Sequence, residues 1–278
     1  MKSLQASRAA LAAAILGLAL PATAQQNPMA DRFTLNIGGF FQKFETSIAF
    51  YKSDGSLTPE YNMQDVFGTP DRQTNIRLEG HWRFGPHGSL QYGYRGWNIK
   101  NSRTIDRDIQ VGDKTYHAGA SVDSQLRVSV TDLYYGYSFI HSPNLEFGAG
   151  IGISAYFNKT ALSATGTITG PDGTKSASYD ESSSDIIAPI PALALFVQYH
   201  ILEDFSIFGK VKGITATISG YHGEMFDFTG GAEYFFTKNF GLGASYEYVD
   251  LKFSHQETRG VSFKYKYNGP LGYVALRF

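Results

Sequence analysis

The chain has 278 residues with 24 basic and 25 acidic side chains, a net charge of −1, no cysteine, and 21 Phe, 18 Tyr and 30 Gly. Near-neutrality argues against a nucleic-acid partner, and the missing thiols exclude a disulfide framework and any thiolate metal site. Beyond the N-terminus no apolar run approaches the about 20 residues of a spanning helix, a test that alternating strands of about 10 residues escape.

The N-terminus reads as an export signal. Lys2 and Arg8 precede an apolar run from Ala9 to Leu20, and Pro21-Ala22-Thr23-Ala24 supplies an A-x-A cleavage site before Gln25. The expected organisation is therefore a cleaved signal at 1–24, a short polar lead at 25–32 and one domain from 33 to 278.

From Phe33 the chain alternates. Phe33, Leu35 and Ile37 open a first strand that runs to about Tyr51, and Lys52 to Arg72 is polar enough to predict a long loop. Ile76, Leu78, Trp82 and Phe84 mark the second strand, Leu90, Tyr92 and Tyr94 the third. Asn98 to Asp123 is expected as a second long loop, before a fourth strand ending in Asp132 to Phe139. The fifth is the most regular: Leu145, Phe147, Ala149, Ile151, Ile153, Ala155 and Phe157 alternate with small or polar residues. After a third loop, Gly170–Asp185, the sixth strand carries Leu193, Leu195, Val197 and Tyr199, with Pro189 and Pro191 predicting a bulge or an edge near its start. Phe205 to Ser219, Phe226 to Phe236 and Phe240 to Tyr248 give three more.

The last strand ends Val274-Ala275-Leu276-Arg277-Phe278, with Val274, Leu276 and Phe278 on one face. Higher up, apolar Val261, Phe263, Tyr265 and Tyr267 occupy the opposite phase, which predicts a bulge at Asn268-Gly269-Pro270. Ten strands result, an even number. Short turns at Gly85–Gly88, His141–Asn144, Leu202–Asp204 and Thr237–Asn239 alternate with longer loops, the asymmetry of an outer-membrane barrel. The dyad pattern, the Asp132 to Tyr137 stretch and the closing strand with its terminal Phe resemble small bacterial outer-membrane β-barrels of the OmpA, OmpW and omptin kind. That resemblance implies an all-β, antiparallel up-and-down transmembrane barrel of ten strands (eight if one hairpin stays outside). It also implies a Gram-negative outer membrane, contact with lipid and lipopolysaccharide, and insertion machinery that reads the strand ending at Phe278. The peptidoglycan-binding domain that follows the OmpA barrel has no counterpart in the sequence.

If the apolar faces meet lipid, five cations, Arg77, Arg83, Arg95, Lys210 and Lys212, point into the lumen. Five anions, Glu79, Asp132, Glu146, Glu233 and Glu247, join them. Unpaired charges in a narrow interior cost several kcal/mol, so the balance predicts an ion-paired, plugged lumen rather than a pore lined by one sign of charge.

Two catalytic constellations deserve a test against the structure. Asp106, Asp108, His222, Glu224 and Asp227 are expected near the outer rim, where a His and carboxylates activate water, although their spacing does not reproduce the omptin pairs. Ser254-His255 with Glu257 is the nearest set to a lipid A deacylase, but adjacent strand residues face opposite ways. Gly148 to Gly152 lacks the helix a dinucleotide site needs. Asp180, Glu181 and Asp185 lack calcium-loop spacing, and Asn158-Lys159-Thr160 lies on a strand. No metal and no cofactor is called for. The sequence points to a structural or surface-recognition envelope protein whose loops carry recognition of an unnamed external ligand. A narrow solute channel and a rim hydrolase are the competing classes.

Overall fold

The computed structural model describes residues 31–182, 186–218, 221–255 and 261–278. The expected signal, Asp185 and Glu257 fall outside them, as do the side chains of Asn158, Asp180, Glu181 and His255.

The elements in chain order are β1 (Phe33–Phe50), β2 (Tyr61–Asn62), α1 (Met63–Phe67), β3 (Arg72–Arg83), β4 (Gly88–Thr104), β5 (Ile109–Val111), β6 (Lys114–Tyr116), β7 (Ser121–His141), β8 (Leu145–Gly170), β9 (Gly173–Ser182), β10 (Ile186–His200), β11 (Phe205–Ile218), β12 (Tyr221–Phe235), β13 (Phe240–His255) and β14 (Val261–Arg277). Around the sheet the order is β1-β3-β4-β7-β8-β10-β11-β12-β13-β14, and β14 pairs back to β1. Every pair is antiparallel, so ten strands close a barrel with no open edge at its waist. Leu35 opposes Leu276 and Ile37 opposes Val274 at the closure.

Large apolar residues cover the outside of the half nearer the short turns. Ile76, Trp82, Leu133, Ile151, Ile153, Leu193 and Leu195 are all exposed, the lipid-facing band of a transmembrane barrel. Trp82, Phe84, Tyr137, Phe139, Tyr199, Tyr234 and Phe236 ring the short-turn end, where aromatic side chains span apolar and wet surroundings.

Three expectations are corrected. The Lys52–Arg72 stretch is not all loop. Asn62 caps α1 through a 3.0 Å bond from the Asp65 amide, and Gly68 at φ +63° ends it, while Met63, Val66 and Phe67 bury one face. The other two loops are partly strand: β4 runs to Thr104, β5 and β6 form a small hairpin, and β9 folds back on β8 from Gly170↔Gly173.

The bulge expected at Asn268–Pro270 does not exist either. β13 and β14 keep one register from Phe240↔Leu276 to Ser254↔Ser262. Odd-numbered residues of β14, from Phe263 to Ala275, face inward throughout. The apolar set changes face because the surroundings change. Near the short turns lipid lies outside and charge inside. Higher up the interior is aromatic, and the outer wall carries Lys264, Lys266 and Lys252 in ion pairs with Glu60, Asp250 and Glu224.

Pro189 and Pro191 likewise sit in unbroken register with Ala155 and Ile153 of β8. The edge reading, not the bulge, explains them. The β10–β11 ladder stops at Leu193↔Gly213, so above it β10 is hydrogen-bonded to β8 alone. A proline there forfeits no bond. The register shift between β7 and β8 instead falls at Ser138/Ile140, beside a short turn.

Candidate functional site

The interior is built in layers, because each strand sends every second side chain inward. At the short-turn mouth Arg277 lies 3.4 Å from Asp31 and 3.8 Å from the Phe235 ring centroid. Above it Arg83 Nη2 donates to both Glu146 oxygens, at 2.7 and 2.8 Å, and Ser138 Oγ donates to Oε1 at 2.5 Å.

The next layer is the densest. Arg77 bridges Glu79 at 2.9 Å and Glu247. Arg95 meets Asp132 at 2.6 Å, and Ser154 donates to the other Asp132 oxygen at 2.5 Å while sharing a 2.7 Å bond with the Tyr134 hydroxyl. Lys212 reaches Asp227 at 2.6 Å and Asp132 at 3.9 Å, with the Tyr134 ring 5.5 Å away. Glu233 accepts from neutral donors, Tyr273 Oη at 2.8 Å and Asn36 at 3.3 Å. Lys210 lies in the field of Glu79.

All ten residues singled out for the lumen are thus buried or half-buried inside the barrel. Asp227 must be added to them. It is not at the rim: Lys212 holds it inside, and it is 1 % exposed. Five cations therefore meet six carboxylates. Small residues make the room: a Cβ at Gly243 would lie 2.2 Å from the Tyr273 ring, and one at Gly152 2.7 Å from Tyr134.

Over the charges lies an aromatic layer. Trp97 and Tyr265 stack at 5.5 Å with 6° between planes, and Phe44, Phe40 and Tyr267 pack around them. Arg95 and Arg77 sit beneath, 6.0 Å from the Tyr267 ring and 5.7 Å from the Phe40 ring, a cation–π seam between the polar and apolar halves. Farther out comes an apolar chamber of about 60 Å³, walled by residues including Leu126, Val128, Ile190, Leu251 and Phe263. A second apolar cluster of Ile48, Phe50, Met63, Val66, Phe67, Ile105, Ile109 and Tyr116 roofs the barrel. Side-chain bonds fasten this cap: Asn101 to the Phe67 carbonyl, Arg103 to the Asp65 carbonyl, and Gln64 to the Thr46 amide.

The rim candidates separate into two places. His222 lies 3.4 Å from Glu224, which Lys252 neutralises at 2.9 Å, and His222 Nδ1 is 2.9 Å from Thr217 Oγ1. Asp106 pairs with the neighbouring Arg107 at 3.2 Å. Asp108 does something the sequence did not disclose. Its Oδ2 is 2.9 Å from His117 Nδ1, and His117 Nε2 is 2.8 Å from Thr169 Oγ1. The Ala118 amide donates to Asp108 Oδ1 at 2.9 Å, and this bond, with His117, holds the carboxyl below the usual aspartate range. His117 and Thr169 are 52 residues apart, and the β6–β8 pairing, with the His117 amide donating to the Thr167 carbonyl at 3.1 Å, brings them together. No group of three or more ligand-type side chains that would hold a metal occurs among the described residues.

No protein-family model and no curated protein matches the chain. Among solved structures, the outer-membrane protease OmpT of Escherichia coli superposes with a TM-score of 0.52 at 13 % identity, covering 92 % of this chain and 99 % of that one. The translocator domain of the autotransporter NalP from Neisseria meningitidis gives 0.44 at 13 %, covering 100 % and 96 %. At such identity the likeness to OmpT is one of fold. With the closed ten-strand wall, the lipid-facing band and the aromatic ring, it shows that this molecule is an outer-membrane β-barrel.

Proposed function

We propose that the protein is a non-conducting barrel of the Gram-negative outer membrane that presents a compact cap at the cell surface for recognition. Export by the signal at 1–24, insertion through the strand ending at Phe278 and contact with lipopolysaccharide belong to the same reading. The observation that carries it is the filled cross-section. Ion pairs from Arg83–Glu146 to Lys212–Asp227 occupy the lower lumen, the Trp97–Tyr265 layer covers them, and the α1 cap closes the top. A lumen of about ten strands is one that side chains nearly fill. Planar-bilayer recording tests it: the refolded protein is expected to carry no steady current. Sustained ohmic opening would replace this reading with that of a narrow solute channel.

A second reading, hydrolysis at the rim, is favoured by the Asp108–His117–Thr169 line alone. A hydroxyl, an imidazole and a carboxylate in hydrogen-bond sequence are the parts of a nucleophilic triad. The Thr169 hydroxyl would give its proton to His117 Nε2 as its oxygen attacks an ester carbonyl, with Asp108 holding the ring; the ester C–O bond breaks, the proton passes to the leaving oxygen, and water then hydrolyses the acyl-threonine. Release of p-nitrophenol from its acetate ester, lost in both His117→Ala and Thr169→Val, would establish it. Turnover equal to that of these variants leaves the triad as a clamp between β6 and β8.

A further inference from the structure

The chain has seven histidines. Four of them, His81, His87, His141 and His200, gather at the short-turn mouth, on β3, on the turn after it, and on the last residues of β7 and β10. His117, His222 and His255 belong to the opposite end. The Arg77–Asp132–Lys212 layer between the two groups holds no histidine.

Two arginines balance two carboxylates at this mouth while the rings are uncharged. Asp31 is held by Arg277 at 3.4 Å. Both Glu146 oxygens are taken by Arg83 Nη2, and Oε1 also accepts from Ser138 Oγ. The histidines stand around this second pair. His81 Nδ1 lies 3.1 Å from Thr34 Oγ1, with Arg83, Glu146 and Lys210 facing the ring. His87 Nδ1 donates to the Ser138 carbonyl at 2.7 Å. His141 Nδ1 is 3.9 Å from Glu146 Oε1, beyond hydrogen-bond reach, and Arg83 and His87 face it as well. His200 is the barest. It is 5 % exposed, and neither ring nitrogen has a partner. Glu146 of β8 and Arg277 of β14 are the charges facing it, while its neighbour on β11 is Ser206.

The mouth accommodates these rings neutral and has no place for them charged. A buried cation needs a partner, yet Glu146 is fully engaged, and Arg83 already leaves Nε and Nη1 without acceptors. A proton taken up by His200 or His141 therefore sets that ring against Arg83 for the same carboxylate. The chain is weakest at the same height. The β7–β8 register shifts between Ser138 and Ile140, and His87 and Glu146 both fasten Ser138.

We propose that the short-turn mouth is an acid-released latch. Protonation of His200 and His141 draws Glu146 away from Arg83 and opens the mouth to water, while the layer above stays closed. The closed form binds fewer protons than the open one, so its stability falls as pH drops through the ordinary imidazole value of about 6.5. The latch governs solvent access to the lower lumen and requires no conducting path through the barrel.

Hydrogen exchange of the refolded protein in nanodiscs tests it between about pH 7.5 and about pH 5.5, after correction for the pH dependence of the chemical exchange step. Each histidine that charges in the open form alone should raise the opening constant about ten-fold over that interval. Amides at 138–146 and 198–206 are expected to open about ten- to hundred-fold more often, and those at 128–134 and 226–230 to keep their rate. His200→Gln should remove one factor of about ten and His141→Gln/His200→Gln both, with heat-shifted gel mobility verifying that the barrel has formed. Equal quickening of mouth and upper layer overturns the proposal, as does a mouth indifferent to pH. A response that survives in the double variant overturns it too. Where a variant fails to fold, the two outcomes for the parent protein still decide the matter.

Discussion

Lys212 Nζ stands 2.6 Å from Asp227 and 3.9 Å from Asp132, so a single ammonium joins neighbouring β11 and β12 and also reaches across the lumen to β7. Its side chain is almost wholly buried, and removing it leaves carboxylates with too few cations. Lys212→Met is expected to destabilise the barrel by about 3–5 kcal/mol, read as a lower urea midpoint of the heat-modifiable form. Adding Asp227→Asn should recover part of the loss, because the orphaned charge goes with it. Additive losses would mean the pair is not energetically coupled.

Gly243 and Gly272 offer a matched pair on adjacent strands. A Cβ at Gly243 runs into the Tyr273 ring, whereas one at Gly272 meets nothing within 4 Å. Gly243→Ala should cost about 1–3 kcal/mol by overpacking and displace the Tyr273 hydroxyl from Glu233. Gly272→Ala should be close to neutral. Equal unfolding midpoints for the two variants would contradict the packing described for Tyr273.

The cap should be separable from the barrel. Gly68 has φ +63° and its missing Cβ would touch Arg103 Cδ at 2.9 Å, so Gly68→Ala is strained twice over, at about 1–2 kcal/mol for the backbone alone. Hydrogen exchange at 61–68 is expected to quicken while the urea midpoint of the barrel stays put.

Acid should loosen the β5–β6 hairpin. The folded Asp108 carboxyl lies below its ordinary value of about 3.8 because the Ala118 amide and His117 favour the anion. A depressed folded value contributes order that is fully present above the ordinary value and lost as pH falls through the depressed one. Amide protection at 108–118 should hold above about pH 4 and decay below it. Asp108→Asn should show no such decay.

Much of this was legible in the sequence, for a physical reason. In Leu145 to Phe157 lipid lies outside and small or polar groups inside, so alternation alone reveals the faces. In the upper parts of β13 and β14 both partners of that contrast are exchanged. One unbroken strand then looks like two out of phase, although its register runs on without a bulge. Asp227 reads as a rim residue in the sequence because height in a barrel depends on the stagger of neighbouring strands, which no single strand records. The five-residue α1 is too short for helical periodicity to show. His117 and Thr169 meet through a register formed 52 residues apart.

The charged outer wall has one more consequence. Lys264 and Lys252 sit directly opposite one another on the outside of β14 and β13, each neutralised by its own glutamate, Glu60 and Glu224. Such a belt refuses to enter hydrocarbon, and the aromatic ring at the other end marks the second boundary. The barrel therefore has a fixed draught, like a hull with a painted waterline. Placed in a thicker bilayer it is expected to thin the lipid around it rather than sink, so the cap keeps a constant height above whatever membrane carries it.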